Sequence, residues 1–69
     1  ETLITWNNTA NATYQGQLLN VTGQVVRRYQ NVQGEWLWIE KRELLPGLYF
    51  LHMIDEAGNA GAVKLLVQE

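Results

Sequence analysis

The 69-residue sequence contains no cysteine, one proline and one histidine. Without cysteine the chain forms no disulfide, and a nucleophilic Cys/His pair is excluded. Since His52 is the only imidazole, a zinc site would need acidic partners. We therefore expect neither a metal nor a cofactor. A core of this size stabilises a fold by only a few kcal/mol, on the order of 3–5, so the stability should be modest.

The sequence also lacks an excess of positive charge and any long apolar run. Five basic residues stand against seven acidic ones, for a net charge of −2. The one basic pair, Arg27 and Arg28, points to opposite faces of a strand. With no positive field for a phosphate backbone, we expect no nucleic-acid partner. No window approaches the roughly 18 apolar residues of a transmembrane helix, so we expect no membrane span.

What the sequence does contain is a series of β-prone segments separated by turns. A polar loop covers residues 7–11, Gly23 and Gly58 suit hairpins with φ > 0, and Pro46 ends an apolar connection. This pattern predicts one all-β domain over residues 1–69, an antiparallel sandwich whose last strand completes a meander. No segment predicts a convincing helix, and residues 41–45 are the one stretch that leaves room for a brief one. The predicted strands are Thr2–Trp6, Thr13–Leu19, Gln24–Tyr29, Glu35–Glu40, Leu48–Ile54 and Ala62–Val67.

Few residues combine into a catalytic pattern. His52 shares a strand face with Phe50 and Ile54, which predicts a partly buried or edge histidine with a structural role. Asp55 and Glu56 are adjacent carboxylates in an exposed turn, which supplies neither the burial nor the partner that separates two pKa values for acid–base work. We therefore expect no enzymatic activity.

The tryptophans suggest a binding surface. Trp36 and Trp38 are two residues apart, so they lie on one face of a strand, and Trp6 stands on another. Such side chains can stack on a sugar, but they also fill the core of a small domain or pack against another protein, which is the interpretation we favour. A sugar platform of Trp6, Trp36 and Trp38 remains the alternative, in a carbohydrate-binding or adhesin-type module.

Four short motifs follow one another along residues 13–69. They are LLNVTGQVV at 18–26, LLPGLYFL at 44–51, DEAGN at 55–59 and KLLV at 64–67. In this order they resemble the type A C-terminal sorting domain of the type IX secretion system. That family has an apolar strand, a D/N-x-x-G-x-x-V hairpin, an L-x-x-G-x-Y strand start, a glycine hairpin and a terminal K-L-I/V-V strand.

The resemblance implies both a fold and a function. The fold would be an Ig-like sandwich of about six to seven short strands. The function would be a non-catalytic label that directs a larger cargo, of which it is covalently part, across the outer membrane. Its partners would be the translocon, a shuttle and a sortase-like peptidase that removes the label. The cargo would pass through the periplasm of a Gram-negative bacterium and be secreted or held at the cell surface.

The resemblance also assigns residues. Gly23 matches the family's hairpin glycine, and Tyr49 would fill the sandwich or anchor its corner. The residues implied in sorting and translocon recognition are Gly47, Tyr49, Lys64, Leu65, Leu66 and Val67. The last four would form a strand whose free edge is available to a receptor.

Two departures from the family pattern carry expectations of their own. The family opens with a P-N-P segment and a further strand, whereas this chain starts at a strand-like Thr2–Ile4. We therefore expect a domain trimmed at its N-terminus, with the first family strand absent. Lys41 stands where the family has an apolar residue, which predicts either a slip in the local register or a lysine side chain that snorkels past the edge of the core.

Overall fold

The structure is a computed structural model that describes residues 2–8 and 11–68. Thr9 and Ala10, in the middle of the predicted 7–11 loop, lie outside the described residues, as do Glu1 and Glu69. The described chain forms six strands: β1 (Thr2–Thr5), β2 (Tyr14–Leu19), β3 (Val25–Val32), β4 (Trp36–Ile39), β5 (Gly47–Asp55) and β6 (Ala60–Val67). Each predicted strand is present, with shifted ends.

The six strands form two antiparallel sheets. One has the order β1-β4 and the other β3-β2-β5-β6. The predicted all-β sandwich is confirmed, but the meander is wrong, because β1 pairs with β4 and β2 with β5 across the sequence. The described residues contain no helix, in agreement with the sequence, and this includes residues 41–45, where the sequence leaves room for a brief one. Those residues form a turn in which the Leu44 N–H donates to the Lys41 carbonyl at 2.8 Å.

The core lies between the two sheets and is built from alternate residues of the strands. Ile4 and Ile39 supply its small-sheet side, while Leu18 and Leu51 on the central strands of the large sheet are completely buried. This alternation follows from the period of two of a strand, which sends every second side chain inward. The remaining buried members are Val32, Leu44, Tyr49, Met53, Leu65 and Val67.

Strand β3 is longer than the sequence predicts. We expected a turn from Gln30 onward, but the strand continues to Val32, whose side chain is buried. The register between β2 and β3 shifts between Tyr14 and Gly16, and Asn31 takes a φ of 55° there. Asparagine tolerates this left-handed conformation better than most residues, so the chain bulges and the strand resumes instead of ending.

The two sheets are tied together beside the end of β4. This strand stops at Ile39, and its register with β1 is regular up to that residue, so β4 shows no register slip. Lys41 lies in the turn that follows and not on a strand. From β3, the Arg27 guanidinium donates to the carbonyl oxygens of Glu40 and Arg42. These bonds hold the turn of the small sheet against the large one.

Asn8 holds together two connections at the opposite end of the small sheet. Its side chain is buried, and its Nδ2 donates to the carbonyl of Ala12 at 3.0 Å and to that of Gly34 at 2.9 Å. Its Oδ1 accepts the N–H of Ala12 at 2.8 Å. One amide thus satisfies backbone groups that secondary structure leaves without partners.

The β2–β3 and β5–β6 hairpins use the same turn chemistry at opposite ends of the large sheet. Gly23 takes a φ of 87° and Gly58 one of 89°, as the glycine hairpins predicted from sequence require. In the first turn the Asn20 Oδ1 accepts the N–H groups of Thr22 and Gln24. In the second, the Asp55 Oδ1 accepts those of Ala57 and Asn59.

Candidate functional site

Two of the four motifs that carry the family resemblance meet at one end of the β5–β6 ladder. The register places Gly47 opposite Val67, and Tyr49 opposite Leu65. Lys64 lies one position further along the ladder and faces Phe50. Two motifs that are well separated in the sequence therefore form one site, at the start of β5 and the end of β6.

Tyr49 anchors the approach to this site. Its ring is buried, and its hydroxyl donates to the Leu45 carbonyl at 2.7 Å. A tyrosine hydroxyl that bonds back to the backbone a few residues upstream is the tyrosine-corner arrangement of Ig-like sandwiches. Pro46 lies between the two bonded residues and restricts Leu45 to extended conformations. The corner therefore fixes the direction in which β5 begins.

Gly47 occupies the first position of β5 with a φ of 151°. A side chain at this φ is strained even though a Cβ atom would meet nothing within 4 Å. The requirement for glycine is therefore one of backbone conformation, and it lies between the tyrosine corner and the ladder.

The terminal motif has two faces. Leu65 and Val67 point inward and are buried in the core. Lys64 and Leu66 point outward, and Leu66 is 56% exposed. Half of the motif thus holds β6 in place, and the other half is presented to solvent with the strand's own backbone.

An apolar surface that sequence reasoning missed surrounds the exposed half. Across the outer face of the large sheet, Phe50 lies between Lys64 and Leu19, and Leu48 lies opposite Leu66. The sequence does show that β5 is apolar on both faces, but not that no described element covers the outer one. We call this surface the outer apolar patch, formed by Leu19, Val25, Leu48, Phe50 and Leu66.

The structure separates the three tryptophans. Trp36 and Trp38 lie on the outer face of the small sheet, 57% and 50% exposed, opposite Thr5 and Leu3. Trp6 packs against the core, with its ring centroid 6.0 Å from that of Tyr14 and the two rings at 76°. The proposed platform of three is therefore reduced to Trp36 and Trp38, and of the three only Trp6 packs as a core residue.

His52 lies on the outer face of a central strand. It is exposed, with Gln17 on one side and Ala62 on the other, so the expected partly buried or edge position is wrong. Sequence alone predicts its face but not the strand order. Within residues 2–8 and 11–68, no three His, Asp or Glu side chains come together as a metal site would require.

The local environment of Asp55 lowers the pKa of its carboxyl. Partial burial raises its pKa, but hydrogen bonds from the backbone N–H and side-chain amide of Asn59, and from the N–H groups of Ala57 and Gly58, outweigh this effect. The pKa therefore lies below the ordinary value of 3.8. The group stabilises its own hairpin.

Two further findings concern membrane crossing and similarity to known proteins. In the part of the chain that the structure describes, no helix has the length and apolar character needed to cross a membrane. The sequence matches no protein-family model, no curated protein and no solved structure.

Proposed function

We propose that this chain is a non-catalytic sorting domain that directs a cargo protein across the outer membrane through the type IX secretion system. The observation that carries the proposal is the meeting of the G-x-Y and K-L-L-V motifs at one end of the β5–β6 ladder. Gly47 and Tyr49 set the start of β5, and Lys64 and Leu66 are exposed beside it.

The two motifs contain both buried and exposed residues, and this separation supports the proposed function. A label shared by many cargos must fold by itself and be read without help from the cargo. Tyr49, Leu65 and Val67 contribute to the fold, since they are buried. Leu66, which belongs to the outer apolar patch, and Lys64 beside it are available to a partner, and an exposed apolar patch commonly marks a protein-binding surface.

The partners and location follow from the same proposal. The domain is covalently part of a larger cargo and binds the outer-membrane translocon and its shuttle, and a sortase-like peptidase removes it. The cargo passes through the periplasm of a Gram-negative bacterium and is released or held on the cell surface. The domain itself contributes binding and no chemistry.

The proposal is tested by exporting a reporter. Residues 1–69 are fused to a reporter with a signal peptide, in a host with type IX secretion, and compared with fusions that carry Tyr49→Ala or lack residues 64–69. We expect the intact fusion at the cell surface and both variants in the periplasm. Tyr49→Phe is the matched control, because it keeps the buried ring. An intact fusion that stays in the periplasm, even with upstream cargo sequence added, would contradict the proposal.

The exposure of Trp36 and Trp38 favours a second candidate, a carbohydrate-binding module. Two half-exposed indoles in line along a strand offer flat apolar faces to a sugar ring. Titration with a soluble β-glucan should then shift the tryptophan emission of the chain and of Trp6→Phe, but not of the Trp36→Ala, Trp38→Ala double variant. An unchanged emission in all three proteins would remove this candidate.

A further inference from the structure

We infer that the secretion machinery binds this domain by adding an extended strand to the free edge of β6, through the main-chain groups of Ala62, Lys64 and Leu66. This inference rests on the proposed function, since it names how the label is read. It is carried by the regularity of this one edge and by the direction in which its backbone groups point.

The strand order leaves four edges, and three are short or irregular. Strands β1 and β4 have four residues each. Strand β3 is interrupted by two register shifts and carries Arg27 and Arg28, and bulges and charges are the devices that block edge pairing. Strand β6 instead pairs with β5 over eight consecutive positions, Ala60 to Val67, without a shift. It is the edge best suited to accept a strand.

The hairpin bond identifies the free backbone groups of β6. The Asp55 N–H donates to the Asn59 carbonyl at 3.0 Å, so this pair is hydrogen-bonded. In an antiparallel ladder hydrogen-bonded and non-hydrogen-bonded pairs alternate. Gly61, Val63 and Leu65 therefore direct their backbone groups toward β5. Ala62, Lys64 and Leu66, which lie between and beyond them, direct theirs to the open side.

The side chains along this edge leave room for another chain. Ala60, Gly61 and Ala62 are small and exposed, and Lys64 is the one charged residue of β6. An incoming strand would gain main-chain hydrogen bonds at Ala62, Lys64 and Leu66. It would also gain apolar contact with Leu66 and the rest of the outer apolar patch. The partner is thus an extended polypeptide segment with alternating apolar residues and a carboxylate placed near Lys64.

Proline tests the inference because it removes an N–H without removing the strand. Ala62→Pro and Lys64→Pro each delete an outward N–H while the bonds to β5 stay intact. The matched control is Arg28→Pro on β3. The backbone groups of Met53 face β6, so those of the next residue, His52, face β2. His52 pairs with Gln17, so the backbone groups of Gln17 face β5. Gln17 pairs with Arg28 on its other side, and the Arg28 N–H therefore points outward. Ala62→Val keeps the N–H and controls for the side chain.

These variants are placed in the reporter fusion, and circular dichroism of each purified domain verifies its fold. We expect Ala62→Pro and Lys64→Pro to lower the surface reporter by roughly tenfold or more, as loss of a main-chain bond plus the clash of the proline ring should. Arg28→Pro and Ala62→Val should export normally. If a proline variant unfolds, Ala62→Lys, which charges the same edge and keeps the backbone, should give the same loss.

The outcomes separate the two proposals. Normal export of folded Ala62→Pro and Lys64→Pro, or of Ala62→Lys in place of an unfolded variant, would overturn strand addition and leave the sorting function standing. An equal loss of export in Arg28→Pro would also overturn it, because the effect would then not be specific to β6. A wild-type fusion that is never exported would overturn the sorting function itself.

Discussion

Two polar side chains hold the connections of this sandwich in place. Tyr49 bonds to the chain that leads into β5, and Asn8 bonds across the two loops that meet at one end of the small sheet. Each satisfies backbone groups that lie outside the strand ladders. Because the chain has no disulfide, its stability depends more on such hydrogen bonds. Their removal should therefore cost more than that of exposed polar residues nearby.

Tyr49→Phe isolates the contribution of the corner bond. It keeps the buried ring and removes the hydroxyl that donates to the Leu45 carbonyl at 2.7 Å. We expect the free energy of unfolding to fall by about 1 kcal/mol, and by about 3 kcal/mol or more in Tyr49→Ala, which also empties the ring site. Urea unfolding measures both. Equal stability of Tyr49→Phe and the unmodified chain would show that the hydroxyl bond does not anchor the corner.

Asn8→Ala tests the buried amide. It removes three hydrogen bonds and leaves the N–H of Ala12 and the carbonyl of Gly34 without that partner. We expect a loss of about 2 kcal/mol in the free energy of unfolding. Asn7→Ala, at the exposed neighbouring position, is the control and should change stability by less than about 0.5 kcal/mol. Similar values for both variants would contradict the role assigned to Asn8.

The two hairpins of the large sheet differ in one chemical respect. Asn20 and Asp55 make the same bonds to the backbone of their turns, but only Asp55 is ionised at neutral pH. A comparison of the two hairpins therefore isolates the effect of the Asp55 charge.

Stability should depend on pH through the Asp55 hairpin. Its pKa in the folded state lies below 3.8, so its contribution is fully present above that value and is lost as pH falls through the lower, folded pKa. Asp55→Asn, which reproduces the chemistry of Asn20, should flatten the fall in melting temperature below about pH 4. Melting curves from neutral to acidic pH compare the two proteins. Curves that stay parallel over the whole range would contradict the assignment.

Strands were predictable here, and their pairing was not. Alternating apolar residues and glycine turns locate all six elements, because both are local properties of the chain. The pairing of β1 with β4 joins segments more than 30 residues apart, and no local pattern encodes it. For the same reason the central place of His52 was missed. The β3 bulge at Asn31 resembles a turn in sequence, since the same residue type serves both.

The candidate site could also be predicted only in part from the sequence. The hairpin at Gly58 predicts that β6 folds back on β5, so a meeting of the Gly47 and Val67 ends is a short step from the sequence. The outer apolar patch depends on whether another element covers the outer face of the large sheet, and no local pattern in the sequence decides this. The split between the partly buried Trp6 and the exposed Trp36 likewise depends on the sheet face to which each residue is assigned.

As a whole, the molecule is a sandwich with apolar groups on both outer faces. Trp36 and Trp38 lie outside the small sheet, and the outer apolar patch lies outside the large one. A chain with so much exposed apolar surface is suited to being packed against a partner. The core between the sheets, centred on Leu18 and Leu51, should be stable without it.

Tryptophan fluorescence tests this division. In the isolated domain, iodide should quench the emission of Trp36 and Trp38 strongly and that of Trp6 weakly, as variants that keep one tryptophan at a time would show. Trp36→Thr with Trp38→Thr should cost less than about 1 kcal/mol of unfolding free energy, against about 3 kcal/mol for Leu51→Ala. Equal quenching of all three indoles, or a larger loss in the tryptophan variant, would contradict the placement of these side chains.

The most direct measurement is the fraction of a periplasm-directed reporter that reaches the cell surface when residues 1–69 are fused to it. Protease added to whole cells digests surface reporter and leaves periplasmic reporter intact. We expect digestion of the intact fusion and protection of fusions that lack residues 64–69. Protection of a folded, intact fusion, also when upstream cargo sequence is restored, would contradict the claim that this sandwich is a secretion label.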